Sequence, residues 1–443
     1  MSDERAQKKT FRPYILTVAC CACMVVATVG LTNAYGVFLT PVAEALGTGR
    51  GAISVHSTLC NLFTGLMAPL SIRLMKKFGL RPMVFAGMVL YSASSFLMAF
   101  ASSVWQLNLL GALKGAGCSM YYFTIVTIII GNWFEASRGA ITGIISSFSG
   151  VGGAVFSPVL AACISRFGYK TSYVILAVLT VLFTLPALFC VKLDPREVGL
   201  LPYGHAPNLS DKWEEQDDAA RFPAFRLASL LFALCAVATF LPNMVTGMSN
   251  HIAGYAESIG MSSAFGASLL SVAMVANILF KFLIGFLTDR VGSIKASQIM
   301  IGVSVAACLV LSTLPTSHAV LVATVFLFGA LYSFCAVGLS VVTRSVYGNS
   351  QYSSAFAIVS LLSTAGSGIG IFAIGAGFDL FGSYRPLMLI FVGFGVLSIF
   401  LLSVIHGITS NQGKALTHGA HSFHRHHRFT HFVGSRKGGS EEK

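Results

Sequence analysis

The chain has 443 residues, 55% of them apolar and 10% charged, with a mean hydropathy of +0.77. Those values exclude an ordinary soluble protein, because apolar stretches long enough to take lipid as their solvent recur along almost the whole sequence. The formal charge of +13 suggests nucleic acid or an anionic surface, but its placement along the chain points to membrane topology instead and gives no nucleic-acid partner.

Hydrophobic spans fall at 13–39, 52–73, 82–101, 104–131, 138–164, 171–191, 222–248, 262–287, 295–314, 319–341, 351–377 and 385–408. They predict an all-α membrane protein of twelve transmembrane helices in two six-helix halves, 13–191 and 222–408. An N-terminal segment 1–12, a linker 192–221 and a tail 409–443 complete the division. With both termini cytoplasmic, nearly all Lys and Arg lie in cytoplasmic segments. Arg50, Arg166, Lys170 and Arg385 fall on the other side, and Lys114 and Lys281 fall within spans. The net charge is therefore mainly a record of orientation.

The first span carries Cys20, Cys21 and Cys23, and like the other cysteines of the chain they read as small buried hydrophobes rather than disulfides or a metal site. Its length and the absence of a polar cleavage region argue against a cleaved signal peptide. Asn33 and Tyr35, in TNAYGVFL, are its candidate hydrogen-bond donors. Near the start of the second span, His56 is a candidate proton carrier, since imidazole ordinarily titrates near neutrality, and His251 near the end of the seventh is another. Proton coupling and hydrogen-bonded packing are both open for these two residues.

The fourth span, NLLGALKGAGCSMYY, places Lys114 in apolar surroundings and adds Tyr121 and Tyr122. In the fifth, Gly150, Gly152 and Gly153 permit close helix approach, and Gly366, Gly368 and Gly370 do so in the eleventh. Pro158 and Pro242 predict bends in spans five and seven. The linker's acidic patch at 214–218 reads as a solvated face.

The eighth span raises the sharpest question. ILFKFLIGFLTDRVG sets Lys281 deep in apolar sequence, and no acidic residue of the chain falls at mid-membrane. Either an anionic ligand supplies the missing charge, or the lysine snorkels or sits there uncharged. Asn277 lies four residues earlier, on the same helical face. An amide and a point charge together suit carboxylate oxygens. Tyr332 in the tenth span is a further candidate donor, and the His-rich tail is predicted to be an irregular extension outside the transport unit.

The two halves look related. The Phe-Gly steps at 167–168 and 381–382 are 214 residues apart, and the glycines ending KKFG and DRVG are 213 apart. Duplicated halves imply a central cavity where they meet. The spans contain no metal cluster and no nucleophilic triad, so neither catalysis nor a cofactor is expected.

This pattern resembles the major facilitator superfamily over about 13–408. NAYGVFLTPVAEALG, YYFTIVTIIIGNWFEASRGAITGI and KFLIGFLTDRVG are similar to the oxalate/formate antiporter and monocarboxylate transporter families. The resemblance implies that a cation on helix 8, usually arginine, meets the substrate carboxylate four residues before the glycine that is Gly285 here; Lys281 holds that place. Animal monocarboxylate transporters carry an aspartate where this chain has Asn277, which puts their proton relay in doubt. The helix-11 lysine expected for oxalate is absent from AIVSLLSTAGSG. Arg138 and Asp289 match positions for gating or helix orientation.

The resulting expectation is a plasma-membrane, multi-pass, monomeric carrier working by alternating access. Its substrate would be a small organic anion such as lactate, pyruvate or formate, with a co-transported proton or a counter-transported anion. The substrate-binding candidates are Lys281, Asn277, Lys114, Tyr35, Asn33, Tyr121, Tyr122 and Tyr332. An exporter of larger hydrophobic or zwitterionic compounds shares the same fold, and a non-transporting membrane receptor is the alternative from another class.

Overall fold

The structure is a computed structural model that describes residues 2–134, 138–204, 226–227 and 229–433, with side chains described from 12 to 409 apart from 123, 135–140, 205–225, 228, 349–350 and 353. Its helices are α1 (Arg12–Ala45), α2 (Arg50–Phe78), α3 (Leu80–Met98), α4 (Val104–Trp133), α5 (138–167), α6 (169–190), α7 (Leu230–Asn250), α8 (Ser263–Val291), α9 (Ser293–Ser312), α10 (His318–Gly348), α11 (Ser354–Phe381) and α12 (Arg385–Val433). By length and hydropathy there are 11 candidate membrane spans among the described residues, because α5 and α6 form one continuous helical run of 50 residues, Ile141–Cys190. That run bends at Gly168, whose φ of 78° an L side chain rarely adopts. Divided at that bend, the run supplies two spans, so the described residues hold the twelve expected.

The internal repeat appears in the backbone as well as the sequence. Gly79 and Gly292 turn α2 into α3 and α8 into α9 with φ of 87° and 86°. Gly168 and Gly382 turn α5 into α6 and α11 into α12 with φ of 78° and 65°. Both pairs keep the offset seen in the sequence, and each reversal is made at positive φ, which glycine adopts without strain. α1 and α10 also contain short π-helical turns, at Val26–Gly30 and Phe334–Gly338. In lipid such irregular backbone is tolerated where protein or water receives the freed groups.

Each half has a core at either end. In the first half, Tyr14, Leu80, Trp133 and Val191 pack at the linker end, and Phe38, Met98, Leu107 and Tyr173 pack at the far end. Ile294, Val346 and Ile405 do the same at the linker end of the second half, with Tyr255, Leu311 and Tyr384 at its far end. The far-end cores reach across: Ala267 of α8 belongs to the first half's cluster, and Ala154 of α5 packs against the second's. The chain leaving α6 docks beneath the first half, where Tyr14 Oη donates to Leu201 O at 2.6 Å and Trp133 Nε1 to Lys192 O at 2.9 Å. The acidic patch at 214–218 lies outside the described residues, as do the side chains of the tail beyond 409.

Glycine permits close helix contact within the first half. A Cβ on Gly152 of α5 would fall 2.6 Å from Gly30 Cα of α1. Backbone atoms cannot swing aside, so Gly152→Val should cost about 1–3 kcal/mol. The expected readout is a lowered thermal-unfolding midpoint in detergent. Gly285→Ala, where nothing lies within 4 Å of the new methyl, should leave that midpoint unchanged. Gly368 serves between the halves: its carbonyl accepts from Thr58 Oγ1 at 2.6 Å.

Candidate functional site

α5 of the first half and α8 of the second run antiparallel along one seam. Ser271 Oγ donates to Ala154 O at 2.8 Å, and a Cβ on Gly150 would lie 2.7 Å from Ile278 Cγ1 and 2.8 Å from Met274 O. One turn further toward the linker end, Lys281 crosses the seam. Its Nζ donates to Ser146 O at 3.1 Å and to Ser149 Oγ at 3.2 Å, and its side chain is buried. Among the described residues no carboxylate lies within 4.0 Å of this ammonium. A buried cation with only neutral acceptors is incompletely compensated for its lost hydration.

Beyond Lys281 the seam opens. Gly285 lies one turn on along the Lys281 face of α8, and Gly143 lies one turn back from Ser146 on α5. A Cβ on either would meet nothing within 4 Å. On the linker side of Lys281 the α5 and α8 faces are therefore open at Gly143 and Gly285.

Asn277 shares the Lys281 face, one turn closer to the far end. It is 4% exposed, and its Oδ1 has no hydrogen-bond partner among the described residues. Such an orphaned buried carbonyl is costly unless something else supplies a donor. Asn33 reaches the same place from α1, donating through Nδ2 to Ser149 O at 3.3 Å. Lys281 and Asn33 thus meet α5 at Ser149, and Asn277 lies one turn away on the Lys281 face of α8.

Lys114 belongs to a second group, inside the first half. Its Nζ lies 4.4 Å from the ring centre of Tyr35 and 4.7 Å from that of Tyr91, a cation held between two aromatic faces. Tyr35 Oη donates to Met98 Sδ at 3.1 Å, and the Tyr35 ring lies 4.8 Å from that of His56. His56 in turn contacts Ile53 O through Nδ1 and Ser57 Oγ through Nε2 at 3.1 Å. Tyr121 packs edge-on against Tyr91 at 6.2 Å, while Tyr122 joins the linker-end core.

The remaining candidates are dispersed. Tyr332 packs edge-on against Phe328 in the far-end core of the second half. His251 lies where the halves meet, with Nε2 2.9 Å from Ile371 O and 3.4 Å from Ser54 Oγ. Asp289 is exposed near the end of α8. Arg138 opens α5, but its side chain lies outside the described residues.

The sequence reading missed Ser146 and Ser149, which hold Lys281, and Tyr91, which completes the aromatic enclosure of Lys114. A signal for the serines was present: 146 and 149 are three apart, on one face of a helix whose glycines already marked a close approach. Also missed was a polar cluster at the far end, where Arg50 meets Glu257 and the α2 N-terminus meets Asp379. Among the described residues no His, Cys, Asp and Glu group has the arrangement to hold a metal ion.

The sequence pattern of the Major Facilitator Superfamily matches residues 18–248 and 232–424. Monocarboxylate transporter 12 of Xenopus laevis is 24% identical over 358 residues, covering 77% of this chain and 77% of the relative. The oxalate:formate antiporter of Oxalobacter formigenes is 22% identical over 374 residues, covering 81% and 83%. A match to an uncharacterised transporter of Bacillus subtilis, 23% identical, spans 59% of this chain and 62% of that one. The solved nucleoside transporter NupG superposes with a TM-score of 0.71 at 12% identity, covering 88% of this chain and 99% of its own. A bacterial homologue of the human lysosomal transporter Spinster, in an inward-facing and unoccupied conformation, superposes with a TM-score of 0.62 at 16% identity, covering 91% and 98%.

Proposed function

The chain belongs to the major facilitator superfamily, and we propose that it moves a small monocarboxylate, such as lactate, pyruvate or formate, across the membrane by alternating access. The observation that carries this reading is the Lys281 ammonium, buried between the halves with only neutral partners. A carboxylate supplies the charge the protein withholds, and charge-assisted hydrogen bonds are the strong ones. Asn277, with an unpartnered Oδ1 on the same face, orients the remainder of the molecule. Two of the relatives are named for small carboxylates, which supports the same substrate class.

In this reading the protein is a plasma-membrane carrier working as a monomer, and its linker end faces the cytoplasm, as the Lys and Arg distribution suggests. Polar contacts join the halves at the far end, and Gly143 and Gly285 are open on the linker side of Lys281, which supports access to Lys281 from the cytoplasmic side. Rocking the halves about the site presents it to the other side. Both proton symport and anion exchange are compatible with a site built on a lysine and an asparagine.

Flux measurements in proteoliposomes test this. Labelled lactate, pyruvate, formate or oxalate is offered outside at two pH values, with or without unlabelled anion inside. The expected result is uptake of at least one monocarboxylate. A requirement for internal anion assigns exchange, whereas accumulation driven by external acid assigns proton symport. Absence of flux for every anion of the panel would overturn the monocarboxylate reading in favour of a larger substrate.

A further inference from the structure

Ser149 is placed to do more than line a seam. It is buried on α5, and its Oγ donates to Ser146 O at 2.7 Å, so its proton is engaged and a lone pair is left to accept from Lys281. Its own carbonyl is fixed from α1 by Asn33 Nδ2 at 3.3 Å. The lysine is on one half and both of its acceptors are on the other. Among the described residues this is also the last polar link between α5 and α8 before Gly143 and Gly285, where an added Cβ would meet nothing within 4 Å.

We propose that Ser149 is a positioning residue whose bond to Lys281 is released by substrate. With no anion bound, the Ser149 hydroxyl and the Ser146 carbonyl hold the ammonium across the seam; an arriving carboxylate takes their place. The inference rests on the carboxylate reading above. It adds a physical link between occupancy and motion. A neutral hydroxyl cannot compete with a carboxylate for an ammonium in a site shielded from water. Binding therefore exchanges a bond between the halves for a bond to the ligand. A ligand shifts a conformational equilibrium only through such a difference between states. The link favours the present arrangement, closed at the far end, so its loss favours far-end opening.

Spin labels at Glu44→Cys and Ser258→Cys, exposed positions on opposite halves at the far end, report that opening by pulsed dipolar distances in nanodiscs. With no anion present, Ser149→Ala should raise the ratio of far-end-open to far-end-closed protein by about three- to tenfold, since the Ser146 carbonyl retains part of the hold. Ser149→Thr, which keeps a hydroxyl, should restore the parent ratio. Lys281→Met, which breaks both bonds, should shift it further. On the parent, whichever of lactate, pyruvate and formate is transported should, at saturating concentration, shift the ratio in the same direction, and on Ser149→Ala it should shift it less.

An unchanged anion-free distribution in Ser149→Ala and Lys281→Met alike would overturn the proposal whatever the anions do. A shift in Ser149→Ala without any response of the parent to an anion that it transports would overturn the release step. Failure of the carboxylate reading itself would appear separately, as the absence of flux for the whole panel.

Discussion

Replacing Lys281 by methionine should weaken monocarboxylate binding by roughly a hundredfold or more while leaving the folded protein as stable as before, or more so. The two halves of that expectation have the same cause. Truncating one partner of a buried, hydrogen-bonded charge pair costs about 3–5 kcal/mol, and each 1.4 kcal/mol is about tenfold in affinity. In the ligand-free chain, however, Lys281 has no charge partner among the described residues, only Ser146 O and Ser149 Oγ. Neutral acceptors do not repay the hydration an ammonium gives up, so methionine of similar length should pack there without loss. Lys281→Arg should retain part of the binding, because the charge survives while the fork of the guanidinium meets the two acceptors differently. Equilibrium binding of labelled lactate, pyruvate and formate to purified protein, beside thermal unfolding, checks both halves. A lysine kept only for packing would give the reverse pattern, with affinity retained and the unfolding midpoint lowered.

The fold was largely legible because lipid leaves few solutions for a chain of this kind. Apolar runs had to be helices, and the glycines ending KKFG and DRVG, with the two Phe-Gly steps, marked reversals that the backbone makes with positive φ. Lys281 was legible for a similar reason: a cation among apolar residues is an anomaly that must have a cause. Its partners were not legible. Ser149 lies 132 residues from Lys281, and serine is so common in small-residue helix faces that its hydroxyl carries no signal until the partner is known. Lys114 drew notice as a possible anion contact, but its enclosure depends on Tyr91 from a different helix, which no spacing along α4 reveals. Arg50 was read only as an exception to the charge bias. A charged residue at a helix end looks solvated in sequence, and only the closure of two halves distant in the chain shows what it meets.

That closure is the basis of the second large effect: Asp379→Ala should open the far end. Asp379, near the end of α11, accepts from Arg50 N at 3.1 Å through Oδ1 and from Gly51 N at 2.7 Å through Oδ2. The first amides of α2 are donors without partners inside their own helix, and here the opposite half satisfies them. Around this cap, Arg50 Nη1 donates to Gly254 O at 3.0 Å and to Tyr384 Oη at 3.1 Å, and Arg50 Nη2 lies 3.6 Å from Glu257 Oε2. Glu257 also accepts from Thr40 Oγ1 at 2.8 Å. Loss of a cap costs about 1–2 kcal/mol, and a carboxylate at a helix N-terminus adds up to about 1 kcal/mol. The Arg50–Glu257 pair, with side chains 15% and 22% exposed, contributes less than its geometry suggests because water screens it.

Asp379→Ala should therefore move the balance toward far-end opening by roughly five- to a hundredfold, and Glu257→Gln, which can keep a bond to Thr40, by much less. Asn250→Cys reports the change. Asn250 is buried at the seam, where a Cβ on Gly36 would lie 2.8 Å from its carbonyl oxygen. Its reaction with an impermeant maleimide added on the far side, measured above the background of the native cysteines, should accelerate in the Asp379→Ala background. An unchanged rate would place the closure in the packing of α2 against α11, where Thr58 meets Gly368 and Gly51 meets Ala376. A cap supplied by the other half suits a carrier better than a larger buried interface would. When the halves part, water can solvate the freed amides and carboxylate at the membrane surface, so the contact specifies the closed state without making it too stable to leave.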